Sequence, residues 1–300
     1  MKTTRRLGLV APSGRLPSEA EADRAASFFT RRGWQVMAGE SVFGHDTRFA
    51  GPDELRASEL QSFATDPRID LVLSARGGYG LTRLLDRFDY RAIAERAPIL
   101  VGYSDFTAFN LAYLAQAGGI SFQGPSAVDF AREQPEAYTV EQFFAALENP
   151  VHELEFATEA PPLEARGTLW GGNLAMLNSL LGTPYFPQVQ GGILFLEDVN
   201  EPAYKVERLL LQLHQAGVLD SQRAILLGAF EPMAVMPSDY GFDFADVLAR
   251  VMAATATPIV TGLPFGHVPR KAMLAVGADS HLGVKAGVAR LSFSGYPNLA

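Results

Sequence analysis

The chain has 300 residues, 48% of them hydrophobic and 19% charged, enough apolar material for one large or two medium cores. Its net charge of −8 argues against nucleic acid or an anionic membrane surface as the main partner, since either needs a basic stripe. It contains no cysteine, which excludes a disulfide framework, a thiolate nucleophile and a cysteine-ligated metal.

In chain order, Leu7–Ala11 reads as a short strand that breaks at Pro12-Ser13-Gly14. That apolar run is too short for a signal segment, and no run reaches membrane-spanning length. The expectation is a soluble, cytoplasmic protein. Ser18 and Glu21 form a capping-box signal for a helix over Glu19–Arg32, which Gly33 closes. A strand over Trp34–Ala38, a loop over Phe43–Gly51, a helix over Asp53–Thr65 and a buried strand over Ile69–Ser74 follow. Alternating strands and helices at this spacing predict a largely parallel sheet. Ligand sites in such sheets gather at the carboxyl ends of strands.

The loop Ser74-Ala75-Arg76-Gly77-Gly78-Tyr79-Gly80 lies at one such end. Its glycines let backbone N–H groups approach a ligand, although it lacks both the G-x-G-x-x-G spacing and a P-loop lysine. It suits an oxyanion donor, or simply a tight connection into a helix packed through Leu81, Leu84 and Leu85.

Next, Ile99-Leu100-Val101 ends at Gly102-Tyr103-Ser104-Asp105, and a helix over Thr107–Gln116 starts at once. Strand, sharp turn and helix raise a serine hydroxyl at the sheet edge, and the residue after it, Asp105, offers its backbone N–H to an oxyanion. Phe106 stands where a G-x-S-x-G elbow has its last glycine, so a simple helix cap is the competing reading.

Ile120–Gly124 reads as a strand and Thr139–Leu147 as a helix. The stretch 151–166 begins with alternating residues (His152, Leu154, Phe156) and continues through Glu159-Ala160-Pro161-Pro162, so it reads as a proline-rich acidic linker containing one strand, between residues 1–150 and 167–300. In the second half, Gly167–Asn173 leads into a helix over Leu174–Leu181, and Trp170 is either ligand-facing or core. The strand Gly192–Leu196 stops at Glu197-Asp198, and carboxylates there are costly unless paired or used. A helix runs from Pro202 through Gln215, a strand over Ala224–Phe230 ends at Glu231-Pro232, and a helix covers Phe242–Ala254. The strand Pro258–Gly262 leads to Gly266-His267, a histidine in a stiff loop. The tail Met273–Phe293 alternates as antiparallel β structure. The fold class is therefore α/β: an N-terminal doubly wound, mostly parallel α/β domain plus a C-terminal β-rich α/β domain.

Acyl transfer needs a hydroxyl, a base, a carboxylate orienting that base, and oxyanion donors. Ser104, His267, Glu197 and the Gly77-Gly78 loop supply each once, at strand ends, and an interdomain cleft would bring them together. The other histidines, His45, His152, His214 and His281, show no metal-ligand spacing. A non-enzymatic alternative is a small-ligand binder whose glycine loop grips an anion.

S-A-R-G-G-Y-G at 74–80, G-Y-S-D at 102–105, W-G-G-N at 170–173, L-E-D at 196–198, E-P-x-Y-x-V-E-R at 201–208 and G-L-P-F-G-H at 262–267 occur in one collinear order. In this the chain resembles the L,D-carboxypeptidase family of serine peptidases, which spans murein tetrapeptide carboxypeptidases and microcin C-type immunity peptidases. The resemblance implies Ser104 as nucleophile, His267 as general base, and Glu197 rather than Glu201 as its orienting carboxylate. It implies oxyanion N–H groups at Asp105 and Gly78. Arg76, Gly77, Trp170, Asn173, Lys205 and Arg270 are the candidate substrate contacts. No metal or organic cofactor is implied. The expected substrate is a muropeptide losing C-terminal D-alanine or, alternatively, a peptidyl-nucleotide, and the expected assembly is a homodimer.

Overall fold

The computed structural model describes residues 4–231 and 237–300. Pro232, expected at a strand end, lies outside them. The first half alternates strand and helix: β1 (Arg6–Val10), α1 (Glu19–Thr30), β2 (Gln35–Ala38), α2 (Asp53–Thr65), β3 (Leu71–Ser74), α3 (Tyr90–Arg96), β4 (Ile99–Gly102), α4 (Thr107–Ala117) and β5 (Ser121–Gln123). Two further helices, α5 (Ala127–Phe130) and α6 (Ala137–Glu148), complete it. Ser18 caps α1 by accepting from the Glu21 N–H, as the capping signal requires.

The second half holds β6 (Val151–Ala157), β7 (Leu163–Asn173), α7 (Leu174–Ser179), β8 (Ile193–Asp198), α8 (Ala203–Gln215) and β9 (Ala224–Phe230). It continues with α9 (Phe244–Ala254), β10 (Ile259–Thr261), β11 (Leu274–Val276), β12 (Asp279–Lys285) and β13 (Val288–Ser294).

The strands form two sheets. The first has the order β11-β5-β4-β3-β1-β2. Strands β1 to β5 pair in parallel, so the loops after β1, β3 and β4 emerge side by side at one edge. The second sheet has the order β10-β9-β8-β7-β12-β13-β6. Its β7 to β10 portion is parallel and its β7-β12-β13-β6 portion antiparallel. The fully buried runs Leu71–Leu73, Leu100–Val101 and Ile193–Leu196 are the central strands, apolar throughout because both sheet faces are covered there.

Two local expectations change. No α-helix follows the glycine loop directly: Leu81–Arg83 and Leu85–Arg87 are short 3-10 turns, and α3 begins only at Tyr90. Leu81, Leu84 and Leu85 are nonetheless buried. The alternation at the start of 151–166 is β6, whose residues His152, Leu154 and Phe156 are buried against the sheet. The tail does not stay in one sheet. Its first strand, β11, crosses to the first sheet and pairs antiparallel with β5. Among the described residues, no helix is long and apolar enough to cross a membrane.

Candidate active site

Ser104 opens the turn after β4. Its φ of 65° is left-handed, a region a non-glycine residue occupies only when the surrounding structure enforces it. The enforcement is visible. Phe106, two residues on, is buried, and the Asp105 side chain points inward, 1% exposed. Asp105 Oδ2 accepts from Ser13 Oγ at 2.6 Å and from the Leu81 N–H at 2.9 Å. Burial pushes the Asp105 carboxyl up, while those hydrogen bonds and the nearby Arg56 charge act in the opposite direction.

The turn after β1 joins the same cluster, since the Gly14 N–H donates to the Gly77 carbonyl at 3.1 Å. Gly77 lies directly against the serine. A Cβ placed on it would sit 2.6 Å from Ser104 Cβ and 2.7 Å from Ser104 Oγ. Only glycine fits there, and the glycine loop backbone therefore borders the hydroxyl, with Gly78 next along it at a φ of 119°.

The second sheet brings the other two groups. Glu197 is the penultimate residue of β8 and is fully buried. Its Oε1 accepts from Asn173 Nδ2 at 3.2 Å, as the register pairs Asn173 with Glu197 across β7 and β8. His267 follows β10. Its Nδ1 lies 2.7 Å from Glu197 Oε2 and its Nε2 lies 2.9 Å from Ser104 Oγ. An ionised carboxylate only accepts, so Nδ1 carries the proton and Nε2 is free to accept from the serine hydroxyl. This is the arrangement of a nucleophile, a base and an orienting carboxylate.

The remaining candidates separate. Asn173 is 5% exposed and fully engaged. Its amide also donates to Asp198 Oδ1 at 2.9 Å, and its Oδ1 accepts from the Met176 N–H at 3.1 Å, capping α7. Both of its amide hydrogens are thus spent on the two carboxylates. Asp198, beside Glu197, is pushed up to about 6 chiefly by burial. Trp170 is 0% exposed, donates Nε1–H to Gln222 Oε1 at 2.9 Å and packs edge-on against Phe186. It is a core residue, which corrects its expected place in a pocket. Lys205 pairs with Glu201 at 2.6 Å. Arg270 stacks 3.6 Å over the Tyr138 ring, and Arg76 is exposed with one long contact to the Arg15 carbonyl. Sequence reasoning passed over Ser13 and Lys271. The Pro12-Ser13-Gly14 break at the end of β1 was a signal for the first, and nothing local marks the second.

Family models for the LD-carboxypeptidase N-terminal domain and C-terminal domain match residues 7–124 and 166–282. A Streptomyces coelicolor chain named as a carboxypeptidase is 35% identical, covering 95% of this chain and 93% of its own length. The solved muramoyltetrapeptide carboxypeptidase from Oxalobacter formigenes superposes with a TM-score of 0.92 at 39% identity, covering 98% of this chain and 100% of that one. The microcin C7 self-immunity protein MccF of Escherichia coli is 27% identical over 85% of this chain and 83% of its own length. Matched in both halves and along nearly its whole length, the chain belongs to the LD-carboxypeptidase family of peptidases.

Proposed function

We propose that this peptidase is a serine carboxypeptidase that hydrolyses an L,D-amide bond and releases C-terminal D-alanine from muropeptides. The observation that carries the reading is the hydrogen-bonded series Ser104 Oγ, His267 Nε2, His267 Nδ1 and Glu197 Oε2, with steps of 2.9 and 2.7 Å. The substrate class follows the muramoyltetrapeptide carboxypeptidase that the chain resembles at 39% identity.

Ser104 Oγ attacks the scissile carbonyl carbon as His267 Nε2 takes the hydroxyl proton. The carbonyl oxygen becomes an oxyanion, received by the backbone N–H groups of Asp105 and Gly78. Glu197 balances the imidazolium. Collapse breaks the C–N bond, and His267 Nε2–H protonates the departing amine of D-alanine. Water, activated by the same nitrogen, then frees the shortened peptide from Ser104. The chain's own side chains supply the nucleophile, the base and its orienting carboxylate, and the scheme needs no cofactor. Residues 1–150 carry the nucleophile and residues 167–300 the carboxylate and base, with 151–166 between them. The proposed setting is the cytoplasm, with which a chain lacking cysteine is compatible. A homodimer is the assembly in keeping with the family.

A second reading keeps the chemistry and changes the substrate to a peptidyl-nucleotide. Similarity to MccF favours it, whereas burial of Trp170 leaves that indole unable to stack on a base. Mass spectrometry separates the two. Purified protein is offered an L,D-tetrapeptide, its all-L isomer and an aminoacyl-nucleotide, with Ser104→Ala as control. Loss of one alanine from the L,D-peptide alone, absent in the variant, is the expected result. Cleavage of the nucleotide conjugate alone would overturn the muropeptide substrate. No cleavage of any by folded wild type would favour a binding protein.

A further inference from the structure

His267 reaches Ser104 from the other sheet, so its position depends on how its loop is held to the first half. Besides the Arg270–Tyr138 stack and the β11–β5 pairing, three hydrogen bonds hold it. Thr139 Oγ1, in α6, donates to the Pro269 carbonyl at 2.7 Å and accepts from the Lys271 N–H at 2.8 Å. Lys271 Nζ donates to Asp129 Oδ1, in α5, at 2.6 Å. The other oxygen of Asp129 accepts from the Ser126 N–H at 3.0 Å, which fixes the carboxylate in turn.

The pair is buried, with side chains 1% and 6% exposed. Burial pushes the Lys271 ammonium down, and the Asp129 charge opposes this. The ammonium also lies 4.2 Å from the centroid of the Tyr103 ring. That ring is 5.1 Å from the His267 ring, and Tyr103 is the residue immediately before Ser104. One buried cation thus touches the segment that carries the nucleophile and belongs to the loop that carries the base.

A buried ion pair is a poor source of net stability, because desolvation offsets the attraction. Its geometry is nonetheless demanding. We propose that Lys271, clamped to Asp129 and seated on Tyr103, is a positioning residue that keeps His267 Nε2 on Ser104. This rests on the catalytic reading above. Lys271 is too buried to meet substrate, so its effect falls on the chemical step and leaves substrate binding alone.

The test compares Lys271→Met, Lys271→Arg and Thr139→Val with wild type. It reads kcat and KM on the L,D-tetrapeptide and the rate at which a fluorophosphonate labels Ser104, a reaction independent of peptide recognition. For Lys271→Met, kcat and labelling should fall by about 10- to 100-fold, the scale of a small misplacement of a catalytic group, with KM within about twofold. Lys271→Arg should recover part of both rates. Thr139→Val removes only the hydroxyl bridge, should shift both rates in the same direction by less, and decides the matter if Lys271→Met does not fold. A folded variant with both rates within about twofold of wild type would overturn the inference alone. A wild type that labels but leaves the peptide intact would overturn the substrate, and the labelling rates would then decide. A wild type inert to both would overturn the catalytic reading and the inference together.

Discussion

Glu197 and Asp198 are adjacent carboxylates at a buried strand end, and their surroundings treat them differently. Glu197 has His267 as a partner, whereas Asp198 has only N–H donors: Asn173 Nδ2, Val199 N and Ala175 N. Burial raises the Asp198 pKa from 3.8 to about 6. An acid whose folded pKa is raised stabilises the protein fully below its unfolded pKa and loses that contribution as pH rises through the folded value. The shift from 3.8 to about 6 corresponds to about 3 kcal/mol at 1.36 kcal/mol per unit. Wild type should therefore lose up to that amount relative to Asp198→Asn between about pH 4 and about pH 7.5, read as the change in their denaturation difference. A difference independent of pH would contradict it. Trp170 belongs to the same scale. Trp170→Phe strands Gln222 Oε1 and should destabilise by about 1–3 kcal/mol in denaturant, with KM for peptide unchanged. A raised KM with unchanged stability would put the indole in the binding site after all.

At the scale of elements, two parallel strand ends face each other through glycine. The β3 end presents Gly77 against the Ser104 turn at the β4 end, with no room for a methyl group. Gly77→Ala should lower kcat/KM by about 100-fold or more through displacement of Oγ, while thermal unfolding moves only modestly. Activity within about threefold of wild type would show that the loop is not pressed on the nucleophile. This scale is also where the sequence was most readable. The strand Ala224–Phe230 and the helix Asp53–Thr65 have the bounds expected from the sequence. Gly102-Tyr103-Ser104-Asp105 announced a turn at a strand end, and the structure has one there. Trp170 was ambiguous because a tryptophan beside two glycines at a strand end has the same local pattern whether it faces a ligand or a core. Asn173 gives no local sign of its partners, since Glu197 and Asp198 are 24 and 25 residues away.

Across the whole molecule, what the sequence hid is what depends on distant pairing. The Lys271–Asp129 pair spans 142 residues, and no local rule connects its members. The crossing of β11 to the first sheet is equally invisible, because alternation shows that a segment is a strand but not which strand it joins. In 151–166 the alternation marked a strand, but not its partners: β6 packs His152 onto Gln142 of α6 and Phe293 of β13. Long-range order of the site, by contrast, was legible: Ser104, Glu197 and His267 come from three strand ends, and the two sheets place those ends together.

The central claim, that Ser104 is a nucleophile activated by His267 and Glu197, is tested most directly by covalent labelling. Wild type, Ser104→Ala, His267→Ala and Glu197→Gln are treated with a fluorophosphonate and read by intact mass and peptide fragmentation. One adduct, localised to Ser104 in wild type, absent in Ser104→Ala and at least about 100-fold slower in His267→Ala, with Glu197→Gln in between, is the predicted result. An adduct on another residue, or labelling of Ser104 at an unchanged rate without His267, would contradict it.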